Sequence, residues 1–199
     1  EVSGVDTVNL PDATITVNVF DTLGQPAAGL GVENFTLSGE AAEFAEIVRV
    51  ESVTDNNLPL STVLVIDVSS SMATRPFEQA KDAARLFVNN LRENDQVAIM
   101  TFSTRVNLVQ GFTGDVGVLL NAIDSLLLGG TTALYDATLE GVQLAASAPT
   151  ERRAVILLSD GAEYGDELGN PASRALRGDA LQAARIASVP VYAIGLGFG

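Results

Sequence analysis

The sequence predicts an α/β fold: a doubly wound, mostly parallel sheet with helices on both faces, preceded by a small antiparallel β module. Three observations carry this. Val63-Leu64-Val65-Ile66 and Ala154-Val155-Ile156-Leu157-Leu158 are short, wholly apolar runs, as in strands covered on both faces. Segments with apolar residues at helical spacing alternate with such runs, the order that right-handed crossovers between parallel strands produce. Residues 1–58 instead show strand-like alternation and no helical stripe.

In the first part, Thr14-Ile15-Thr16-Val17-Asn18-Val19-Phe20 alternates with a period of two. Asp21-Thr22-Leu23-Gly24-Gln25-Pro26 is a turn cluster. Phe35-Thr36-Leu37 and Ile47-Val48-Arg49-Val50 read as further strands, so three to five strands are expected over residues 1–58. So short a module makes a thin sandwich at best and needs a neighbour to complete its core. Asp55-Asn56-Asn57-Leu58-Pro59 reads as the junction to a second domain over residues 60–199.

The second part opens with a strand over residues 62–67. Pro76 suits a helix start, and Phe77, Ala80, Ala84, Val88 and Leu91 recur at helical spacing. Gln96–Phe102 is the next strand and Val106–Val109 a weaker one. Helices are expected over 115–127, capped by Thr113, and over 132–147, stopped by Pro149. The strand at Ala154–Leu158 follows, then a helix over 178–188 and a last strand at Val191–Ile194.

Composition narrows the function. The 199-residue chain is 47% apolar, which is globular usage, and its formal net charge is −14. Lys81 is the single lysine beside ten arginines, and 25 acids are scattered along the chain. Such a chain has no basic footprint for nucleic acid or anionic membranes, and it attracts cations and basic partner surfaces. No apolar run reaches the roughly 18 residues of a membrane span, so direct membrane insertion is not expected. The chain lacks cysteine and histidine, which excludes disulfides, zinc sites built on those residues and histidine-dependent triads. It lacks an initiator Met and a basic-then-apolar leader, and so reads as a processed or excised piece.

The chemistry concentrates in three separated segments. The strand at 62–67 runs into Asp67-Val68-Ser69-Ser70-Ser71, a carboxylate and two hydroxyls at alternate positions. Carboxyl ends of strands in open α/β sheets are where ligands bind, and an oxygen-only cluster suits a hard divalent cation. Gly129-Gly130-Thr131-Thr132 precedes a helix, and Ser159-Asp160-Gly161 follows a strand. Each has a plainer reading alone: Asp67 or the serines as a helix cap, Gly-Gly-Thr as a loop into a cap, Asp-Gly as a turn. Two carboxylates would balance the charge of Mg²⁺, and three hydroxyls would add dipoles.

In type, order and spacing these segments resemble von Willebrand factor A (VWA) domains, a Rossmann-like family. Asp67-Val68-Ser69-Ser70-Ser71 matches the D-x-S-x-S motif of the family's metal-ion-dependent adhesion site. The stretch from Asp21 to Phe35 also resembles the β segment that precedes many bacterial VWA domains. Carried over residue by residue, the resemblance implies metal ligands at Asp67, Ser69, Ser71, Thr131 and Asp160, with Mg²⁺ bound, or Mn²⁺ or Ca²⁺. It implies a non-enzymatic adhesion or assembly module that captures an Asp or Glu of a protein partner, in an extracellular or cell-surface setting. Ser70 stands where the family often has Gly, and Ala73-Thr74-Arg75 lack the acids of a neighbouring second cation site. The C-terminal helix usual in the family is not expected within residues 60–199. Asp136 reads as a helix-surface or supporting carboxylate, and Glu163, Asp166 and Glu167 as a solvated loop. Two alternatives stand beside the binding module. One is a structural or assembly subunit in which metal only stabilises the fold. The other is a metal-dependent phosphoryl-transfer enzyme, disfavoured because no motif carries a histidine base or a nearby lysine.

Overall fold

The structure is a computed structural model and describes residues 2–7, 10–22, 27, 29–52, 59–73, 75–161, 163, 165 and 170–197. The chain divides into two units, Glu1–Leu58 and Pro59–Gly199. Residues 55–58 of the expected junction and 23–26 of the expected turn cluster lie outside the described residues.

In the first unit, β1 (Val2–Asp6) pairs antiparallel with β2 (Thr14–Val17). The segments at 35–37 and 47–50 are not strands, so the described residues hold two strands rather than three to five. Phe35 is tied back into a short 3₁₀ turn at Val32–Asn34, its N–H donating to Val32 O at 3.2 Å. Val48 is 78% exposed. Strand-favouring residues form a strand only where a neighbouring strand and a buried face accept them. None of the described residues of this unit is buried.

The second unit is built on a five-stranded sheet in the order β5-β4-β3-β6-β7. Its strands are β3 (Leu60–Asp67), β4 (Gln96–Phe102), β5 (Val106–Thr113), β6 (Arg152–Ser159) and β7 (Val191–Gly195). β3 pairs in parallel with β4 and β6, β6 in parallel with β7, and β5 antiparallel with β4. Four helices join them: α1 (Arg75–Asn89), α2 (Val116–Asp124), α3 (Leu134–Ala146) and α4 (Arg177–Ala187). The sheet is therefore mostly parallel with an antiparallel edge, as the alternating pattern predicts.

The period of the strands divides the core into two layers. Leu64 and Ile66 of β3 and Val97 and Ile99 of β4 pack with Ala80, Ala84 and Val88 of α1 and Leu119 and Ile123 of α2. Val63 and Val65 of β3 and Ala98, Met100 and Phe102 of β4 pack with Ala137, Val142 and Ala145 of α3. α4 joins the second layer through Ala183, Ala184 and Ala187. Each fully buried Leu or Ile side chain here contributes roughly 1.5–3 kcal/mol of transfer free energy. At Gly141 the α3 backbone comes so close to β3 that a β-carbon would lie 2.9 Å from Val65 Cγ2.

The cap of α2 differs from expectation. Asp115, not Thr113, caps the helix, accepting from Val118 N at 3.0 Å, because the helix starts at Val116 and Thr113 still belongs to β5. The Thr113 hydroxyl accepts from Asp115 N instead, at 3.1 Å. No helix among the described residues is long and apolar enough to cross a membrane.

The strand order creates one privileged place. β3 leads through α1 to β4 on one side, and β6 leads through α4 to β7 on the other. The connections of β3 and β6 thus diverge at their carboxyl ends, opening the crevice in which α/β sheets bind ligands.

Two outcomes follow. Residues 1–58 expressed alone will show no cooperative thermal transition by circular dichroism, since they bury too little apolar surface to offset chain entropy. Gly141→Ala will lower the urea midpoint, with a loss of about 1 kcal/mol or more from overpacking against Val65. At an unconstrained helix site the same change would instead be favourable by up to about 1 kcal/mol.

Candidate metal centre

Asp67 is the last residue of β3 and is completely buried. The chain beyond it is held from three sides. Val68 N donates to Phe102 O at 2.8 Å, Gly129 N donates to Val68 O at 2.8 Å, and Ser70 N donates to Gly130 O at 3.0 Å. Met72, also completely buried, anchors the end of a 3₁₀ turn over Ser70–Met72. Between the buried anchors Val68 and Met72, Ser69 is turned inward at 1% exposure while Ser70 and Ser71 face outward on the turn.

The side-chain oxygens then gather into one group, which Asp67 joins through the Ser69 amide. Asp67 Oδ1 accepts from Ser69 N at 2.8 Å, and Asp67 Oδ2 accepts from Ser159 Oγ at 2.6 Å. Ser69 Oγ and Ser71 Oγ are 2.9 Å apart, and Ser71 Oγ donates to Asp160 Oδ1 at 3.0 Å. A hydroxyl has a single hydrogen. Since that of Ser71 goes to Asp160, Ser69 is the donor to Ser71. Four of the five residues singled out in the sequence, Asp67, Ser69, Ser71 and Asp160, thus meet at the ends of β3 and β6.

Thr131 is placed beside this group by a different route. Its N–H and hydroxyl both donate to Thr104 Oγ1, at 3.1 and 3.2 Å, and none of the described hydrogen bonds joins it directly to the other four. The tie is through backbone, because the preceding Gly130 is the residue that accepts from Ser70 N. Gly130 has φ of +96°, and a β-carbon there would come within 2.6 Å of Thr104 Oγ1. A residue other than glycine would push this loop away from the strand ends.

Ser159 and Thr104 hold the group together and were not legible in the sequence. Serine and threonine carry no signal for such a role, and the partners lie 92 and 27 residues away along the chain. Asp136 takes the supporting role: it accepts from Arg174 N at 3.0 Å and Ala175 N at 2.7 Å. Glu163 departs from the expected solvated loop. It is half-buried, and its carboxylate is fully engaged with backbone amides and a serine hydroxyl. Asp166 and Glu167 lie outside the described residues.

The electrostatics follow from burial. Desolvation pushes the Asp67 carboxyl above its ordinary value of 3.8, hydrogen bonds from Ser159 and Ser69 pull it back, and the negative charge of Asp160 adds to the rise. None of the described ion pairs includes Asp67 or Asp160. Two carboxylates and three hydroxyls, with no basic side chain among their described partners, are oxygens that could hold a hard divalent cation. Among the described residues no three acidic side chains gather in a metal-binding group, here or elsewhere, so hydroxyls make up most of this donor set.

A folded-state pKa above the unfolded value gives the metal-free protein a penalty that appears as pH rises through that interval. Asp67→Asn keeps the shape and removes the charge. In EDTA, its stability relative to the parent will therefore increase from pH 3 to pH 7 in urea titrations. A relative stability that falls over the same range would contradict the burial argument.

The comparisons with known proteins bear on the family and the fold. The family model of the von Willebrand factor type A domain matches residues 62–163, from within β3 to just past Asp160. A Synechocystis protein, sll0103, is 34% identical over 116 residues, covering 56% of this chain and 28% of that protein. Human inter-alpha-trypsin inhibitor heavy chain H3 is 30% identical over 116 residues, covering 52% of this chain and 13% of its own length. The chain therefore spans under a third of these curated relatives. Among solved structures, a von Willebrand factor type A protein from Catenulispora acidiphila matches with a TM-score of 0.58 at 21% identity, over 70% of this chain and 34% of that one. BatB from Bacteroides thetaiotaomicron matches with a TM-score of 0.54 at 22% identity, over 68% of this chain and 66% of that one. At these identities the solved structures show the fold. With the family model covering just over half of its residues, from the strand before Asp67 through Asp160, this chain belongs to the von Willebrand factor type A domain family.

Proposed function

We propose that this chain is a divalent-metal-dependent protein-binding module, used in adhesion or assembly, that captures an Asp or Glu side chain of a partner. The observation that carries the reading is the convergence of Asp67, Ser69, Ser71 and Asp160 into one hydrogen-bonded group at the point where the strand connections diverge. Thr131 is the fifth donor, presented by the loop that Gly130 lets approach.

The division of labour follows from exposure. Asp67, completely buried, fixes the Ser69 backbone and supplies charge from beneath. Buried Ser69 and exposed Ser71 offer neutral oxygens, and Asp160 closes the group from the end of β6. A bound Mg²⁺, or Mn²⁺ or Ca²⁺, would be neutralised by the two carboxylates and would keep a position open to an incoming carboxylate. The strongly acidic chain repels acidic partners at long range, so the captured residue belongs in a neutral or basic patch.

Binding rather than catalysis is supported by what surrounds the group. The chain has no histidine, and the ammonium of Lys81 is engaged elsewhere, 3.4 Å from Asp124 O and over the Phe77 ring. No general base or phosphoryl-stabilising cation stands beside Asp67 among its described partners. We place the protein outside the cell or at its surface, the setting that its membership in a family of adhesion and assembly domains favours.

Thermal unfolding with and without excess Mg²⁺ tests the metal. At a hundred times its Kd the ion stabilises the parent by about 2.7 kcal/mol. For a chain of this length that raises Tm by roughly 5–10 °C. Asp160→Ala and Thr131→Ala will lose most of this rise; an unmoved parent Tm in both Mg²⁺ and Mn²⁺ sinks the proposal. Partner capture will likewise be lost in EDTA, and a partner that binds equally well in EDTA would place recognition on another surface.

A further inference from the structure

α3 begins without a cap of its own. Ala133 stands at the position that precedes the helix and carries no oxygen, yet the amides of the first three helical residues are all bonded. Leu134 N and Tyr135 N donate to Glu163 Oε2, at 2.8 and 3.3 Å. Tyr135 N and Asp136 N donate to Ser173 Oγ, at 3.0 and 3.1 Å. Ser173 in turn donates through its N–H to Glu163 Oε1 at 2.6 Å and through its hydroxyl to Glu163 Oε2 at 2.8 Å. Asp136 returns the contact by accepting from Arg174 N and Ala175 N. Two segments are thereby bonded to one another in both directions.

The identity of those segments gives the contact its meaning. Glu163 lies three residues after Asp160, and Leu134 lies three residues after Thr131. Thr131 and Asp160 are the two candidate ligands brought by separate loops, and Thr131 has no described hydrogen bond to the rest of the group. A cap supplied by residue 133 would satisfy α3 without tying these loops together. Here the cap comes from the Asp160 side, so the start of α3, and Thr131 just before it, depend on that loop. Ser173 is buried, which shields the contact from competition by water.

We propose that Glu163 and Ser173 are positioning residues that hold Thr131 in register with Asp160. The proposal rests on the metal-binding reading above, with these residues acting through the ligands and not touching the ion. Removing outer partners of metal ligands typically weakens affinity about 10- to 100-fold.

The test compares the parent with Glu163→Ala and Ser173→Ala; the second removes the hydroxyl without changing charge. Amide hydrogen exchange is followed in the metal-free proteins, and Mn²⁺ affinity is measured by titration with electron paramagnetic resonance. In both variants, exchange will quicken roughly tenfold at residues 129–133 as well as at 134–136. Mn²⁺ affinity will fall about tenfold or more. Exchange that quickens only at 134–136 would reduce the contact to a helix cap and overturn the proposal, as would parent-like Mn²⁺ affinity in both variants. A parent that takes up no Mn²⁺ would refute the metal reading instead, and exchange at 129–133 would still decide whether the clamp exists. If Glu163→Ala fails to fold, Glu163→Gln replaces it and is read by the same two measurements: its single carbonyl oxygen can accept from the α3 amides or from Ser173 N, but not from both, and its amide nitrogen faces a donor on the other side.

Discussion

Asp67 puts a carboxylate in the interior at the end of the central strand, held by the Ser69 amide and the Ser159 hydroxyl. Much of what surrounds the strand ends can be traced to the need to satisfy that group. Its first oxygen dictates the turn that follows β3, because Ser69 must present its N–H backward. Its second oxygen requires Ser159 on the neighbouring strand. That is met only because β6 pairs with β3 in a parallel register that sets Ile66 beside Leu158. A slip of one residue would turn Ser159 to the opposite face and leave a buried charge with one hydrogen bond.

The same register delivers Asp160 to Ser71 at the surface of the group. Burial raises the energy of the Asp67 anion while Asp160 adds repulsion. The folded protein therefore holds two negative groups in closer company than they would choose in water. The hydroxyls of Ser69, Ser71 and Ser159 relieve part of this. A divalent cation would relieve the rest, which is the physical reason for reading the cluster as a binding site rather than as a polar end to a strand. The shape of the fold and the charge of the site point to the same crevice for independent reasons.

Legibility in the sequence followed how local each cause is. Long apolar runs located β3, β4 and β6, and the spacing of Phe77, Ala80, Ala84 and Val88 located α1, because burial on one stripe or on both faces writes itself into composition. β5 was found short, as Val106–Val109. Its continuation Gln110-Gly111-Phe112-Thr113 depends on an antiparallel neighbour and carries no clean alternation. The strands expected at Phe35–Leu37 and Ile47–Val50 failed because β-favouring side chains there find no ladder. At the candidate site, Asp67, Ser69, Ser71 and Asp160 were conspicuous as polar residues closing apolar strands. Thr104, Ser159, Glu163 and Ser173 were not, since each is a common residue in a common setting, defined only by a partner far along the chain. Supporting residues of this kind become visible only when the fold is known.

The central claim is that the oxygens around Asp67 form a site for one divalent cation. Anomalous X-ray diffraction from crystals grown with Mn²⁺ tests it most directly. The account predicts a single strong anomalous peak in bonding contact with Ser69 Oγ and Ser71 Oγ, lying between Asp67 and Asp160, and absent in crystals of Asp160→Ala. Crystals of the parent protein that show no peak there at saturating Mn²⁺, with the Ser69–Ser71–Asp160 hydrogen bonds intact, would contradict it.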